Sequence, residues 1–229
     1  MTDFYQNGTI TTLHNLGERS TADLEQDLLQ FSERRPLGLI LPSLYSEIQT
    51  PALPAIIEEL KSVPYLSQIV IGLDRATQDE YQHALSFFAD LPQHHRVLWN
   101  DGPRLKAIDA RLQEAGLAPQ ELGKGRNVWY CMGYALATGR AEAIALHDCD
   151  ILTYDRSLLA RLIYPVAHPI FGYEFCKGYY PRVSDNKING RVCRLLVTPM
   201  IRALKRIVGE SPYLNYLDSY RYILAGEFA

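Results

Sequence analysis

Short apolar runs alternate along the chain with longer segments in which apolar residues recur at helical spacing. The short runs predict four buried strands, at residues 37–41, 68–74, 96–99 and 143–147. The intervening segments predict four helices, at residues 51–61, 79–91, 104–115 and 127–138. They are followed by a predicted helix at 155–163, a strand at 170–180 and a long amphipathic helix at 191–207. The pattern therefore predicts an α/β chain.

This alternation of strands and helices predicts a mostly parallel sheet. A strand, a helix and a second strand form a β-α-β crossover, and such crossovers place the two strands in parallel. Because the predicted strands are apolar throughout, helices should cover both faces of the sheet. We therefore expect a Rossmann-like domain at residues 37–229, preceded by an N-terminal extension at residues 1–36. Ligands of such sheets bind beyond the carboxyl ends of the strands.

The composition is that of an ordinary globular protein. The chain has 229 residues, of which 47% are hydrophobic, and a net charge of -3. That charge gives no overall attraction to nucleic acid or to an anionic membrane, so we expect neither as a partner. No apolar run approaches the roughly 20 residues of a membrane span, and the N-terminus lacks the order of a signal peptide. With four cysteines and no C-x-x-C pair, we expect a cytoplasmic protein with reduced thiols.

A carboxylate follows each of the first four predicted strands. Glu47 follows the first, Asp74 the second, Asp101 the third and Asp148 the fourth. Because parallel strands end at the same edge of a sheet, these side chains should converge there. Polar residues after strands are also typical of solvated loops, so each carboxylate taken alone keeps that second interpretation.

The pair Asp148 and Asp150 is the sharpest candidate for chemistry. In an extended segment, residues two apart point to the same side, so both carboxylates could face one cation. Oxygen ligands suit Mg²⁺ or Mn²⁺, which bind few protein ligands together with substrate phosphates. The alternative is that Asp148 caps the following segment and Asp150 lies in solvent. His147 should point to the opposite side, as a hydrogen-bonded core or supporting histidine.

A glycine-rich segment around Lys124 is a candidate phosphate site. Gly123 and Gly125 would let the backbone approach a ligand closely, and Lys124 supplies a positive charge. The segment opens a predicted helix, whose N-terminus favours anions. The alternative is a glycine-rich entry to a helix with an exposed lysine.

A basic segment before the last long helix is a candidate anion site. Gly190 is followed by Arg191 and Arg194, and Lys187 precedes it. Arginine offers a planar fork that fits phosphate or carboxylate. The alternative is a basic first turn on a surface helix, although cations there oppose the helix dipole.

Several of these motifs occur in an order that resembles a known family. They are Gly123-Lys124-Gly125, Asp148-Cys149-Asp150-Ile151, Phe175-Cys176-Lys177-Gly178-Tyr179-Tyr180, Gly190-Arg191-Val192 and Leu224-Ala225-Gly226-Glu227-Phe228. The ordered set resembles the glucosyl-3-phosphoglycerate synthases of glycosyltransferase family eighty-one and the related mannosyl-3-phosphoglycerate synthases. The resemblance implies a GT-A fold and a retaining, metal-dependent transferase. Such an enzyme would move glucose or mannose from UDP-glucose or GDP-mannose to 3-phosphoglycerate or a related small phosphorylated or carboxylate acceptor, toward glycosylglycerate compatible solutes.

The resemblance also implies roles for particular residues. Those expected to bind the nucleotide sugar are Pro42, Ser43, Leu44, Glu47, Asp74, Lys124 and Asp148. Those expected to bind the acceptor are Gly190, Arg191 and Cys193. The resemblance assigns the metal to Asp150, the likelier direct ligand, together with Asp148, and it assigns the catalytic roles to Glu227 and Lys124.

Three departures from the family pattern change the expectation. Cys193 replaces a threonine, and a thiol is a weaker hydrogen-bond partner for phosphate. Ser46 stands where a second carboxylate usually adjoins Glu47. Family members continue past the Gly226-Glu227-Phe228 motif and supply a histidine metal ligand, so the C-terminal part is expected to be missing here. We expect the 229-residue chain to be weakly active or inactive unless it forms a homodimer that covers the exposed surface.

Other mechanisms and functions remain open from the sequence. We expect front-face attack without a stable covalent intermediate, although Glu227 is a candidate nucleophile. A nucleotidyltransferase would need a glycine-rich basic loop after the first strand, where this chain has Pro42-Ser-Leu-Tyr-Ser-Glu47. A catalytically inactive module that binds nucleotide sugars is a third class. The tyrosines Tyr213, Tyr216, Tyr220 and Tyr222 are expected to pack in a core or an interface.

Overall fold

The four apolar runs form one parallel sheet in the computed structural model. Its strands are β1 (Leu37–Leu44), β2 (Leu66–Asp74), β3 (His95–Trp99) and β4 (Ala143–Leu146). Their order across the sheet is β3-β2-β1-β4, and every pair is parallel. Leu44 is paired with Asp74, and Leu73 with Trp99, so these strands end along a common edge. The predicted parallel sheet is confirmed.

The structure describes residues 10–14, 19–180, 183–184, 187–188, 191–220 and 226–229. The chain divides into two compact units. The larger comprises residues 19–177 and 226–229, and the smaller comprises residues 1–18 and 178–225.

The described residues of the larger unit form six helices. They are α1 (Thr21–Ser32), α2 (Ala52–Lys61), α3 (Gln78–Phe88), α4 (Pro103–Glu114), α5 (Lys124–Thr138) and α6 (Arg156–Ala167). On one face, Cys131 of α5 packs against Ile40 and Val70 of the central strands. The larger core, with Leu28 of α1 and Ile163 of α6, covers the opposite face. The α/β fold with helices on both faces is therefore confirmed.

Helix α1 was not predicted, although its sequence carries a helix start. The Ser20 hydroxyl accepts the Asp23 N–H at 3.1 Å, which caps the first turn. Leu24 and Leu28 are buried in the main core. The proposed boundary at residue 36 therefore falls between two elements, α1 and β1, that belong to the same unit.

The last four residues add an antiparallel segment beside β4. Phe228 pairs with Leu146 on one side and with Lys177 on the other. The predicted strand at 170–180 is wrong, because only Lys177 in this stretch has a strand-like partner. The ring of Phe171 instead stacks on His168 at a centroid distance of 3.8 Å, which folds this apolar stretch back onto the end of α6.

In the smaller unit, a short antiparallel pair precedes a helical segment. The pair is β5 (Val183–Ser184) and β6 (Lys187–Ile188), and the helical part contains a π-helical turn (Cys193–Val197), α7 (Thr198–Val208) and α8 (Pro212–Ser219). The predicted helix at 191–207 is confirmed. Asp218 pairs with Lys205 at 3.0 Å and joins α8 to α7.

The tyrosine cluster is only partly packed. Tyr216 contacts the ring of Tyr220, but Tyr213 and Tyr216 are exposed. Core packing is therefore wrong for these two residues, and an interface stays a prediction. Tyr222 lies outside the described residues. None of the helices in the described part of the chain has the length and apolarity that crossing a lipid bilayer requires.

We expect Ile71→Ala to destabilise the larger unit by about 2–5 kcal/mol, because it leaves a cavity in a packed core. Ile71 is fully buried in β2, between β1 and β3. Urea unfolding followed by circular dichroism measures the change. Leu136→Ala is the control, because Leu136 is 73% exposed on α5 and should change stability by less than about 0.5 kcal/mol. Equal losses in the two variants would contradict this account of the core.

Candidate active site

The residues that follow β1 form one wall of the site. Pro42 and Ser43 are buried, and a short 3₁₀ helix (Tyr45–Gln49) turns Glu47 back toward the strand. The Glu47 carboxylate accepts the Leu44 N–H at 2.9 Å. Burial raises the pKa of the Glu47 carboxyl, and hydrogen bonds from Leu44 and Ser43 oppose that rise. The charges of Asp150 and Asp148, the two aspartates of the D-x-D segment, add to it. Glu47 therefore lies close enough to that pair to sense both charges.

Asp148 and Lys124, which are 24 residues apart in sequence, form an ion pair at the end of β4. The His147 N–H donates to the Ile40 carbonyl at 3.2 Å, which holds this chain segment beside β1. Lys124 is the first residue of α5. Gly123 precedes it with φ of 136°, a backbone conformation that glycine adopts without strain. The sheet edge and the helix start thus bring the two predicted residues together.

Asp150 is exposed, whereas Cys149 beside it is buried in the main core. This alternation directs Asp148 and Asp150 away from the core. Burial raises the pKa of the Cys149 thiol well above its ordinary value, so the thiol stays protonated. Helix α6 is capped by Asp155 and not by Asp148, because the Asp155 carboxylate accepts the Ser157 N–H at 2.6 Å.

The C-terminal segment brings Glu227 into the same region. Because Phe228 pairs antiparallel with Leu146, Gly226 lies opposite Asp148. A Cβ atom at position 226 would lie 2.7 Å from the Asp148 carboxyl carbon. Glu227 is buried, with 1% of its surface exposed, and interacts electrostatically with Lys177. No role was predicted for Lys177, although it lies within the motif at residues 175–180.

Asp74 ends β2 at the same edge of the sheet and is half-buried. Arg75 follows it with φ of 55°, which is uncommon for a residue with a side chain. Asp101, after β3, accepts the Ala76 N–H at 3.1 Å, so its carboxylate stabilises the loop between β2 and α3. Asn100 is buried, and its Oδ1 has no hydrogen-bond partner within the described part of the chain.

His147 is fully buried, as expected, but it is not hydrogen-bonded through its ring. Neither ring nitrogen has a partner among the residues that the structure describes. The ring lies 5.3 Å from that of Tyr154, measured between centroids. Burial lowers the pKa of His147 to about 3, which keeps the imidazole neutral. The expectation of a hydrogen-bonded histidine is therefore wrong.

The predicted acceptor residues belong to the smaller unit. Arg191 is exposed at the start of the helical segment, and Cys193 is buried in the π-helical turn. Gly190 lies outside the described residues. Their roles in acceptor binding stay predictions.

The donor atoms at the edge of the sheet suit a hard divalent cation. Asp148 and Asp150 offer carboxylate oxygens, which Mg²⁺ and Mn²⁺ prefer. Over the residues that are described, no group of three or more potential His, Cys, Asp or Glu ligands occurs. A cation that binds one or two carboxylates leaves its other positions to water and phosphate oxygens, which is the usual arrangement for Mg²⁺.

The chain is similar to curated proteins over its whole length, although no protein-family model matches it. The glucosyl-3-phosphoglycerate synthase of Persephonella marina is 52% identical over 229 residues, which are 100% of this chain and 57% of that protein. The glucosyl-3-phosphoglycerate synthase of Methanococcoides burtonii is 40% identical over 233 residues, covering 99% of this chain and 56% of that protein.

The structure is similar to that of a glucosyl-3-phosphoglycerate synthase from Mycobacterium tuberculosis, solved with Mn²⁺, UDP and glucosyl-3-phosphoglycerate. The TM-score is 0.59 at 19% identity, and the match covers 95% of this chain and 62% of that chain. At this identity the likeness shows the fold alone, and it confirms the GT-A fold. The chain spans a little over half the length of its curated relatives, and over that span it is a homologue of the glucosyl-3-phosphoglycerate synthases.

Proposed function

We propose that this chain carries the donor-binding site of a transferase that moves glucose from UDP-glucose to 3-phosphoglycerate, with a divalent metal. The observation that carries the proposal is the Lys124–Asp148 ion pair at the carboxyl edge of the sheet, close to Glu47, Asp150 and Glu227. The names of the relatives support glucose as the sugar and 3-phosphoglycerate as the acceptor. The M. tuberculosis protein has been solved with Mn²⁺ and UDP-glucose, which supports this donor and a divalent metal.

In this proposal Asp148, Asp150 and Lys124 hold the diphosphate in two ways, through a metal ion and through a direct contact. Asp150, with Asp148, would hold Mn²⁺ or Mg²⁺, which when bound neutralises charge on the departing diphosphate. Lys124 now pairs with Asp148, and it would exchange this carboxylate for a phosphate oxygen when the donor binds. The N-terminus of α5 adds its backbone N–H groups and dipole to the same anion.

Glu227 would orient the reacting groups. It is buried beside the D-x-D segment and interacts electrostatically with Lys177. A fixed carboxylate accepts hydrogen bonds from sugar or acceptor hydroxyls, and positioning of this kind lowers the barrier of a transfer reaction. We propose front-face attack with retention of configuration, in which the departing phosphate accepts the proton of the acceptor. A glycosyl adduct trapped on Glu227 would replace this mechanism with a covalent one.

The proposed function is tested in two steps on the same chain. Isothermal titration with UDP-glucose and GDP-mannose, each with and without Mn²⁺, should give the tightest binding for UDP-glucose with metal. Addition of 3-phosphoglycerate should then release UDP and form glucosyl-3-phosphoglycerate only slowly, because weak activity is expected of this chain alone, and mass spectrometry detects the product. Metal-dependent binding without product would support a module that binds nucleotide sugars without catalysis. No binding of either donor would contradict the proposed function.

A further inference from the structure

Lys177 lies in the candidate active site, and the proposed mechanism assigns it no role in binding the donor. Main-chain hydrogen bonds fix its position. The Cys176 N–H donates to the Ala229 carbonyl, and the Ala229 N–H donates to the Cys176 carbonyl, both at 2.8 Å. Lys177 pairs antiparallel with Phe228, which pairs antiparallel with Leu146. Lys177 is thus attached through one short strand to the end of β4, close to the D-x-D segment.

The pairing also determines the face of the sheet on which Lys177 lies. Directly paired residues of neighbouring strands share one face, so Lys177, Phe228 and Leu146 lie on the same side. Phe228 and Leu146 pack with Cys131 of α5, which identifies that side as the α5 face. Lys124 is the first residue of the same helix. The two lysines therefore lie on one face of the sheet, near its carboxyl edge.

The groups around Lys177 carry charges of both signs. Lys177 is half-buried; burial lowers the pKa of its ammonium group, Glu227 and Asp148 oppose that effect, and Lys124 adds to it. Because Lys177 and Lys124 sense each other's charge in this partly desolvated place, an anion with several charges could interact with both ammonium groups.

We propose that Lys177 binds the diphosphate of the nucleotide sugar together with Lys124. The inference rests on the proposed function, because it takes the donor to be a nucleoside diphosphate sugar. Lys177 shares the electrostatic environment of Lys124 and Asp148, which face that diphosphate in the proposed mechanism. A flexible ammonium group with three donors suits phosphate oxygens that move as the leaving group departs.

The test compares the binding of UDP and of uridine in the presence of Mn²⁺. We expect Lys177→Gln to weaken UDP binding roughly 10-fold, the usual effect of losing one charged hydrogen bond. Uridine binding should not change, because uridine has no phosphate. Lys177→Arg keeps the charge and should stay within about 3-fold of the parent for UDP. Lys61→Gln is the matched control, since Lys61 ends α2 and pairs with Glu58 at 2.6 Å, away from the site.

The outcomes separate this inference from the proposed function. A parent chain that does not bind UDP would contradict the proposed function itself. If the parent binds UDP and Lys177→Gln binds it equally well, only the role of Lys177 is overturned. A loss shared equally by UDP and uridine, or a loss confined to 3-phosphoglycerate, would also overturn it. Thermal unfolding checks that the variants fold, and Lys177→Met removes the same charge if the glutamine variant does not fold.

Discussion

Asp150→Asn is expected to remove the Mn²⁺ dependence of UDP binding. Asp150 is exposed next to Asp148, which is already paired with Lys124, so Asp150 has the carboxylate that is more available to a cation. Asparagine keeps the shape but loses the charge, and a neutral amide is a much weaker ligand for a hard cation. We expect the dissociation constant of UDP in saturating Mn²⁺ to rise about 100-fold, toward the value without metal. Isothermal titration with and without Mn²⁺ measures both values.

The control for this variant is Asp90→Asn. Asp90 follows α3 at the opposite edge of the sheet, and its side chain is 79% exposed. It should leave UDP binding unchanged with and without metal. If Asp150→Asn still gains affinity from Mn²⁺ as the parent does, the direct metal ligand is another residue. The next variant to test would then be Asp148→Asn, which should also release Lys124 from its ion pair.

The edge of the sheet that holds these carboxylates could be predicted from the sequence. Apolar runs of strand length, separated by helical segments, determine both the parallel order and the side on which each strand ends. Glu47, Asp74 and Asp148 follow three of those runs, so their common location follows from topology alone. The ion pair between Lys124 and Asp148 brings these two residues together, and their binding to one phosphate group stays a prediction.

The contacts that could not be predicted depend on pairing between distant segments. Phe228 joins Leu146 and Lys177 through backbone hydrogen bonds, and no local pattern in four terminal residues indicates that partner choice. The apolar stretch at 170–180 has the composition of a strand, yet the ring of Phe171 stacks on His168. Local propensity is a weak guide where tertiary packing decides the conformation.

The sequence also carries a helix signal before the first strand that did not enter the predicted elements. Ser20 and Asp23 give α1 a capped start, and Leu24 and Leu28 have helical spacing. His147 shows the opposite case, because alternation along the strand correctly predicts its burial. Whether a buried ring nitrogen finds a hydrogen-bond partner depends on side chains from other elements, which a single sequence does not specify.

Gly226→Ala is expected to weaken UDP binding, because it adds one carbon atom against the Asp148 carboxylate. A Cβ at position 226 would lie 2.6 Å from one Asp148 carboxylate oxygen and 2.7 Å from the carboxyl carbon, closer than packed atoms allow. The Asp148 carboxylate must then move away from its present place beside Lys124. Overpacking of this kind costs about 1–3 kcal/mol, so we expect UDP binding in Mn²⁺ to weaken roughly 30-fold. Isothermal titration measures the loss.

Gly133→Ala provides the control for this prediction. Gly133 lies inside α5, and a Cβ there meets no atom within 4 Å. The substitution should leave UDP binding unchanged and stabilise the helix by about 0.5–1 kcal/mol. A double-mutant cycle with Asp148→Asn then tests the cause. If Gly226→Ala acts by displacing Asp148, it should weaken binding far less in the Asp148→Asn background than in the parent. Additive losses in the cycle would show that Gly226 acts through another part of the site.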